Sequence, residues 1–558
     1  LFGPLPRTTC WVEGRTHAPF ALRHGVNVLL HAAVTALLVL VLLDLRCPPW
    51  AAGMAGMLFA VHPVHVEAVA GLVGRSELLA ALFTLLAVRA GCGTPRRRTL
   101  LAVTVRSFLA ASSKEWTWAL PVFLVAARLA RGMTWQPSLL LASGVGVGLH
   151  LVLRRMVLGG WLNSPDAVIP VMDNPLVLSV GLDRFRDGLA VTGLVFRQLA
   201  FPWVQSPDVT GQSITLPGSW ADPRVLLALA GLGALAWGSW HLRKPKNDPG
   251  RRALALGSAW ALAGILLLTN LLLTLGVIFA DRLLYWPSLA GCLLLGGLLT
   301  LAASRVPRWG LLGAGLALAV AYTVQSAAYL PAWANDRALF AHAVETTPRS
   351  QRAWYNFGRY LQAENNTEGA LRAFHTAAAL DSTFGDAHLQ RALSLMQIGR
   401  HADALDALRQ ARQTLARTPH LDLTEATLLL ESGHPETAAP LLEQVLQREP
   451  DWFEAAYNLG RARADLGDPE AAAVAWARAA RLRPEDPRTA NNLAWLLHDA
   501  LGRSAEAESW ARRAAALEPN SPVLLDTLAQ ILFALGQRTE ALGLAERAAA
   551  LDSSAYYR

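Results

Sequence analysis

The sequence is poor in cysteine and in charged residues. Its four cysteines, spread over 558 residues, form no Cys-x-x-Cys pair, which disfavours a disulfide framework and a structural zinc site. Only 16% of the residues are charged while 53% are hydrophobic, a composition too apolar for one soluble globule. The chain also lacks a GxGxxG or P-loop cradle, a GxSxG elbow and an HExxH motif, so nucleotide-dependent, serine-hydrolase and zinc-protease chemistries are disfavoured.

The apolar residues are concentrated in the N-terminal part of the chain. Up to about Tyr329 they form long blocks, whereas the remaining sequence is amphipathic and rich in charge. This change predicts a membrane domain at residues 1–330, a linker at 331–347 and a soluble domain at 348–558. Much of the Arg and Lys behind the net charge of +8 lies in short loops between apolar blocks. That placement fits membrane orientation better than nucleic-acid binding, so no nucleic-acid partner is expected.

Ten apolar blocks are candidate membrane-spanning helices, because a span needs about 20 mostly apolar residues. They lie at residues 26–45, 49–61, 76–90, 99–113, 117–130, 136–158, 225–241, 253–275, 283–303 and 309–329. Arginine-rich loops between some of them are expected in the cytoplasm. Alternation then places residues 62–75, the loops around Lys114 and Asp281, and everything after Ala328 on the extracytoplasmic side. Residues 176–203 break the alternation and are predicted to form a re-entrant or interfacial helix.

Small residues recur at a fixed period in the C-terminal domain. The series is Ala370, Ala404, Ala438, Ala472, Ala507 and Ala541, with spacings of 34, 34, 34, 35 and 34 residues. Small residues at this period, where paired helices cross, are typical of the tetratricopeptide repeat (TPR), and six repeats cover about 350–553. Together with the apolar blocks, the repeats predict an all-α protein, in which a polytopic transmembrane domain is followed by a TPR α-solenoid.

A column of polar residues accompanies these repeats. One polar residue lies two positions before the small residue of each first helix: Asn356, Gln390, Thr424, Asn458, Asn492 and Thr527. In TPR geometry this column faces the concave groove, and carboxamides can pair with both the N–H and the C=O of an extended peptide. The groove is therefore predicted to bind a polypeptide, unless the six are ordinary helix-surface residues.

Four motifs in the apolar half resemble one known family. Residues 58–79 read LFAVHPVHVEAVAGLVGRSELL and residues 280–288 read ADRLLYWPS. Shorter motifs are NVLLH at 27–31 and Lys114-Glu115 after an apolar span. Together with the repeats they resemble the transmembrane and tetratricopeptide repeat O-mannosyltransferases over nearly the whole chain. The resemblance implies a multi-pass integral membrane protein whose membrane domain has the GT-C glycosyltransferase fold.

The resemblance also implies an activity. A sugar, expected to be mannose, is transferred from a polyprenyl-phosphate donor to Ser or Thr of a protein on the extracytoplasmic face. The TPR domain is expected to hold the acceptor polypeptide on that same face. No cofactor is implied beyond this lipid-linked substrate. In proteins with the GT-C fold, the main acidic residue usually lies in the first extracytoplasmic loop. Since the chain begins with Leu1 rather than Met, we expect that residue to precede Leu1.

The predicted extracytoplasmic loops contain the residue types that this chemistry needs. A carboxylate orients or deprotonates the acceptor hydroxyl, and cations neutralise the phosphate that leaves. The catalytic candidates are Glu67, His62, His65 and Asp281. The candidates for binding the donor phosphate are Arg75, Lys114 and Arg282, with Arg154 and Arg155 as weaker ones.

Each candidate also has a structural alternative. His62 and His65 can be two interfacial histidines in a turn, and their HxxH spacing predicts no metal site because no third ligand is in view. The alternatives for the others are a helix cap for Glu67, contact with the membrane surface for Arg75, and structural ion pairs for Lys114 with Glu115 and for Asp281 with Arg282.

Two other functions are compatible with parts of the sequence. A non-enzymatic, membrane-anchored TPR scaffold would need only the repeats, and an acidic residue in the loop before Leu1 would argue against it. A transporter of lipid-linked sugars would use the same charges as a pathway. Such transporters typically show an internal duplication of helices, which the sequence lacks.

Overall fold

The computed structural model describes residues 20–161, 169–171, 173–209, 213–241, 248–272 and 274–551, and all regular elements in these ranges are helical. The predicted all-α class is therefore confirmed. The chain divides into two compact units, residues 1–360 and 361–558. The predicted linker at 331–347 contains the end of a 3-10 helix, Leu330–Trp333, and an α-helix, Asp336–Thr346, and both belong to the first unit.

Many of the α-helices described in the first unit overlap the predicted apolar blocks. The helices of this unit are α1 Phe20–Asp44, α2 Pro49–Val61, α3 Val66–Ala70, α4 Arg75–Gly91, α5 Arg97–Ala111, α6 Leu120–Ala130, α7 Pro137–Leu158, α8 Gly181–Ala200, α9 Pro223–Trp240, α10 Pro249–Leu268, α11 Tyr285–Ala302, α12 Arg308–Tyr329, α13 Asp336–Thr346 and α14 Gln351–Ala363, which crosses into the second unit. Proline begins α2, α7, α9 and α10, at a position where its missing N–H is not needed. Asp222 and Asp248 cap α9 and α10 by accepting backbone N–H bonds at 2.8 Å.

Five helices in the described ranges are long and apolar enough to cross a membrane. They are Leu22–Asp44, Pro137–Leu158, Pro249–Leu268, Asp281–Ala302 and Arg308–Trp333. A sixth span results if α2 and the segment Pro63–Ala70, bent by 51° relative to each other, are counted together. Other predicted blocks correspond to shorter helices such as α5 and α6, with 15 and 11 residues. The number of ten spans therefore stays a prediction.

Helix α8 corresponds to the predicted re-entrant segment. It runs for 20 residues without a break and carries both exposed and buried charges. Asp183 and Arg197 are exposed, whereas Asp187 is buried and pairs with Arg186 at 2.9 Å. A charged helix of this kind is costly in lipid. Its placement at a membrane surface or inside a polar cavity stays a prediction.

The close crossing of α10 and α11 depends on small residues. A Cβ added at Gly297 would lie 2.7 Å from the carbonyl oxygen of Gly250, and one at Gly257 would lie 2.9 Å from that of Ala290. Both distances are too short for a side chain, so only glycine lets the two backbones approach this closely.

An aromatic cluster connects the loop before α6 to the start of α11. The ring centroids of Trp116 and Trp286 are 4.4 Å apart, and Phe123 and Trp260 lie 4.6 and 5.2 Å from Trp286. All four side chains are buried. Stacked rings of this size stabilise the contact well beyond a pair of aliphatic residues. The cluster brings the Lys114 and Arg282 segments, far apart in sequence, into the same region.

The second unit consists of paired helices at a regular period. They are α15 Thr367–Leu380, α16 Gly385–Gln397, α17 His401–Arg412, α18 Pro419–Glu431, α19 Pro435–Arg448, α20 Phe453–Asp465, α21 Pro469–Leu482, α22 Pro487–Asp499, α23 Ser504–Leu517, α24 Pro522–Ala534 and α25 Arg538–Leu551. Glycines with positive φ end the first helix of five repeats: Gly399, Gly433, Gly467, Gly502 and Gly536. The predicted series of small residues is buried, with Ala370 fully so and Ala541 4% exposed. The predicted TPR solenoid is confirmed.

Candidate active site

The turn between α2 and α3 holds both predicted histidines in buried positions. Pro63 has no backbone N–H, so the helix cannot continue through it and the chain bends. The Nδ1 atom of His62 accepts a bond from the backbone N–H of Val64 at 3.4 Å. Its Nε2 atom therefore carries the proton and donates to the carbonyl oxygen of Leu199 at 3.1 Å. His62 thus fixes the turn against the end of α8.

His65 keeps one ring nitrogen without a hydrogen-bond partner. Its Nε2 atom lies 2.7 Å from Ser288 Oγ, and that hydroxyl donates to the carbonyl oxygen of Tyr285 at 2.8 Å. The second ring nitrogen is Nδ1. No residue that the structure describes pairs with this Nδ1 atom, although the side chain is only 3% exposed. The neighbouring His31 accepts the hydroxyl proton of Tyr285, with Nδ1 and the oxygen 2.8 Å apart.

Glu67 and Arg282 form an ion pair that joins two motifs 215 residues apart. The backbone N–H of Arg282 donates to Glu67 Oε2 at 2.8 Å, and its Nη1 atom pairs with Glu67 Oε1. Glu67 is buried, whereas 24% of the Arg282 side chain is exposed. The carboxylate is therefore occupied by the arginine, and the arginine side chain retains accessible surface.

Asp281 is buried immediately before Arg282 at the start of the same turn. Its Oδ1 atom accepts a bond from Gln198 Nε2 at 3.2 Å. Its Oδ2 atom is buried and has no hydrogen-bond partner in the described part of the chain. The alternative in which Asp281 pairs with Arg282 is not observed, because Arg282 pairs with Glu67.

Lys114 pairs with Glu77, which differs from the predicted pair with Glu115. Lys114 Nζ lies 2.9 Å from Glu77 Oε1, and Trp116 Nε1 donates to Glu77 Oε2 at 2.8 Å. Burial by itself lowers the pKa of Lys114, but the carboxylates of Glu77 and Glu115 outweigh it, and the pKa is raised. Lys114 therefore stays charged. The positive charge of Arg282 also acts on this pKa, which places the two cations in a shared electrostatic environment.

Glu115 has a different partner, Arg154. The Nη1 atom of Arg154 lies 3.6 Å from Glu115 Oε1, and its guanidinium lies 5.7 Å from the ring centroid of Trp118. Arg154 is 4% exposed, whereas the next residue, Arg155, is exposed. Arg154 therefore belongs to the packing of α7 against the loop after Lys114.

Arg75 is fully buried at the junction of α1, α3 and α4. Its Nε atom donates to Asn27 Oδ1 at 2.8 Å and its Nη2 atom donates to the carbonyl oxygen of Arg23 at 2.9 Å. Asn27 in turn donates to the carbonyl oxygens of Val69 and Gly71. Arg75 does not extend to the membrane surface, and this placement favours a role in holding the helix junction over direct contact with a phosphate.

Three residues of this region were missed by the sequence analysis. Tyr285 and Ser288 stand inside the quoted motif at 280–288, so a signal for them was present. Gln198 is one of several polar residues on α8, and no pattern in the sequence distinguishes it. In the described ranges no group of three or more His, Cys, Asp or Glu side chains is arranged to hold a metal ion.

A cavity of about 820 Å³ lies beside the histidine turn. It is bounded by α1, by the turn after α2 and by α12, and four histidines line it: His24, His31, His62 and His65. The remaining lining is mostly apolar, for example Val28, Val69 and Leu330. Val28 and Leu330 are each 55% exposed, so the cavity is open at an apolar margin.

The six residues of the polar TPR column differ in their surroundings. Asn458 Nδ2 donates to Thr427 Oγ1 at 3.0 Å, and Asn492 Nδ2 donates to the hydroxyl of Tyr457 at 3.2 Å, so both amides connect neighbouring repeats. The hydroxyls of Thr424 and Thr527 donate to carbonyl oxygens of their own helices, and Thr527 is buried. Asn356 and Gln390 are half-buried. The peptide-binding role of this column stays a prediction.

Comparison with known proteins finds similarity in both parts of the chain. A family model described as "Tetratricopeptide repeat" matches residues 355–419 and 423–487. The human protein O-mannosyl-transferase TMTC4 is 26% identical over 63% of this chain and 54% of its own length. Human TMTC3 is 25% identical over 78% of this chain and 52% of its own length. A 76-residue stretch is 51% identical to the Tmtc2 protein of Drosophila melanogaster and covers 8% of that relative.

The chain spans about half the length of the curated relatives it matches. Among solved structures, the TPR protein YrrB, described as having an unusual peptide-binding site, is 20% identical with a TM-score of 0.30 over 33% of this chain and 95% of its own. The family model and the curated relatives show that the chain carries tetratricopeptide repeats and is similar to the TMTC protein O-mannosyl-transferases, which confirms the resemblance predicted from its sequence.

Proposed function

We propose that this protein transfers mannose from a polyprenyl-phosphate donor to a Ser or Thr hydroxyl of a polypeptide on the extracytoplasmic face of a membrane. The observation that carries the proposal is the pair of partly exposed cations, Arg282 and Lys114. A buried carboxylate from a separate segment holds each of them, Glu67 for Arg282 and Glu77 for Lys114. Two fixed cations that retain accessible surface are suited to bind a phosphate group.

The transfer step needs those cations at the moment when the phosphate leaves. The acceptor oxygen forms a bond to the anomeric carbon of mannose while the bond from that carbon to the phosphate oxygen breaks. The electron pair stays on the polyprenyl phosphate, which Arg282 and Lys114 neutralise, so the leaving group needs no proton. The hydroxyl proton passes to a carboxylate base. Glu67 orients Arg282 in this scheme.

The apolar cavity supports a lipid-linked donor. Its volume of about 820 Å³ lies within the range of sites that enclose small molecules. It is lined mainly by apolar side chains. It opens at Val28 on α1 and at Leu330, the residue after α12. Its histidine side adjoins α3, the helix that carries Glu67. The proposal places the prenyl chain in this cavity and the phosphate at the two cations.

The TPR solenoid supports a polypeptide acceptor. Its amide column (Asn356, Gln390, Asn458 and Asn492) can bond to the backbone of an extended chain without reading its sequence. A bound chain presents several hydroxyls to the membrane domain at a high local concentration. This proposal requires the TPR solenoid and residues 62–75 on the same, extracytoplasmic side.

The test is a transfer assay with labelled polyprenyl-phosphate mannose and an unstructured Ser/Thr-rich peptide. In the full-length protein, Glu67→Gln combined with Arg282→Gln removes both charges and avoids leaving a buried carboxylate unpaired, which alone would cost about 3–5 kcal/mol. We expect transfer to fall by about 100-fold or more while the protein stays folded. Arg308→Gln, an exposed arginine at the start of α12, is the matched control. Unchanged transfer in the double variant removes the pair from the site, and peptide binding without any transfer in the wild type indicates a scaffold.

A further inference from the structure

The segment that follows α8 contributes one member of an ion pair that the proposed chemistry does not use. The segment covers residues 201–209, and Asp208 within it is 8% exposed. The Nε atom of Arg352, in the first turn of α14, donates to Asp208 Oδ1 at 2.8 Å, and its Nη2 atom pairs with the same oxygen. Ser350 Oγ donates to Asp208 Oδ2 at 3.4 Å. All these residues belong to the first unit.

The same guanidinium also pairs with a second carboxylate. Arg352 Nη1 pairs with Asp173 Oδ1, so one arginine connects the segments before and after α8. The carbonyl oxygen of Asp173 accepts the backbone N–H of Ile278 at 3.1 Å. Ile278 lies three residues before Asp281, so this contact fixes the chain that enters the site.

Gln198 connects the 201–209 segment to the site. Gln198 Nε2 donates both to the carbonyl oxygen of Val204 at 2.8 Å and to Asp281 Oδ1 at 3.2 Å. Gln198 is 5% exposed, so both bonds are shielded from water. Two contact routes thus lead from Arg352 to the turn of Asp281 and Arg282, one through Asp173 and one through Asp208.

We propose that Arg352 is a positioning residue for the Asp281–Arg282 turn, which it holds in place by pairing with Asp173 and Asp208. The inference rests on the proposed function, because Arg282 matters here as a phosphate-binding cation. Arg352 itself lies on the first repeat helix and touches neither substrate in this scheme. Its loss would release the two segments that fix the turn and would displace the Arg282 guanidinium from the phosphate.

Arg352→Gln tests this positioning through steady-state kinetics of the full-length protein. Because a displacement of about 1 Å can cost 10²-fold, we expect kcat to fall by about 10- to 100-fold. The KM for the acceptor peptide should not change, since the effect acts on the donor side. Arg352→Lys should recover part of the activity, because an ammonium group can pair with one carboxylate but not bridge both. Arg349→Gln, an exposed arginine three residues earlier, is the matched control and should behave as wild type.

A second variant separates positioning from a loss of folding. Arg352→Gln combined with Asp173→Asn and Asp208→Asn leaves no unpaired buried charge, so thermal stability should return while kcat stays low. Hydrogen exchange of residues 198–209 and 278–284 reports the positioning without any assay of activity, and it should be faster in Arg352→Gln than in Arg349→Gln. Unchanged kcat in a folded variant, unchanged exchange, or a loss confined to the acceptor KM overturns the inference. An inactive wild type instead contradicts the proposed function, and the exchange data still decide the positioning.

Discussion

The Lys114–Glu77 pair offers the clearest quantitative prediction about the membrane unit. Glu77 is fully buried, 15% of the Lys114 side chain is exposed, and their charged atoms are 2.9 Å apart. At an effective dielectric constant of about 20, the attraction at this distance is about 6 kcal/mol. The cost of removing both charges from water offsets a large part of it. We expect a net coupling free energy of about 2–3 kcal/mol.

A double-mutant cycle measures that coupling. The variants are Glu77→Gln, Lys114→Gln and the combination of both, and their free energies of unfolding are compared in detergent micelles. Glu77→Gln keeps an acceptor for Trp116, so the cycle reports the charge pair rather than the indole bond. Each single variant leaves one charge unpaired and should cost about 3 kcal/mol, whereas the combination should cost less than their sum. Costs that add to within about 0.5 kcal/mol would refute the pairing.

Two further predictions concern packing and peptide binding. Gly297→Val places a branched side chain where a Cβ would lie 2.7 Å from the Gly250 carbonyl oxygen. We expect the free energy of unfolding to fall by about 1–3 kcal/mol. Gly291→Ala is the control, since its Cβ would meet open space, and it should cost much less. Asn458→Ala should weaken binding of an unstructured peptide by up to about 10-fold in fluorescence anisotropy, since one good hydrogen bond contributes about 1 kcal/mol. Thr527→Ala serves as its control because that hydroxyl is buried and bonds to its own helix, and an equal loss in both variants would argue against the amide column.

Some helix limits were predictable because the sequence marks them chemically. The apolar block at 49–61 coincides with α2, since Pro49 suits the first helical position and Pro63 prevents continuation. The period of 34 residues predicted the repeat helices for a similar reason, because small residues are required where the helices cross. Local chemistry of this kind is fully contained in the sequence.

The partners of the charged residues were not predictable in the same way. A pair of Lys114 with the adjacent Glu115 was one alternative, but Lys114 pairs with Glu77 on α4, which also accepts the indole N–H of Trp116. Glu67 and Arg282 are 215 residues apart, and a single sequence does not show that they meet. Tertiary packing decides such pairs, and hydropathy and spacing carry no information about it.

The burial of Arg75 was also not predictable from the sequence. A lone arginine next to an apolar block is usually read as a surface group that extends to the membrane boundary. Here the side chain is fully buried, because Asn27 and the carbonyl oxygen of Arg23 supply acceptors on α1. Asn27 lies within the quoted motif at 27–31. The sequence alone does not show that its side-chain oxygen accepts a hydrogen bond from Arg75.

The central claim is that sugar transfer and polypeptide capture occur in one compartment, and cysteine labelling in sealed vesicles tests it most directly. In a cysteine-free background, single cysteines are placed at the exposed Val73, between α3 and α4, at the exposed Glu368 in α15, and at the exposed Ser304 after α11. A membrane-impermeant maleimide should label positions 73 and 368 from the same side and position 304 from the opposite side. Labelling of position 368 together with 304, and apart from 73, would contradict the account.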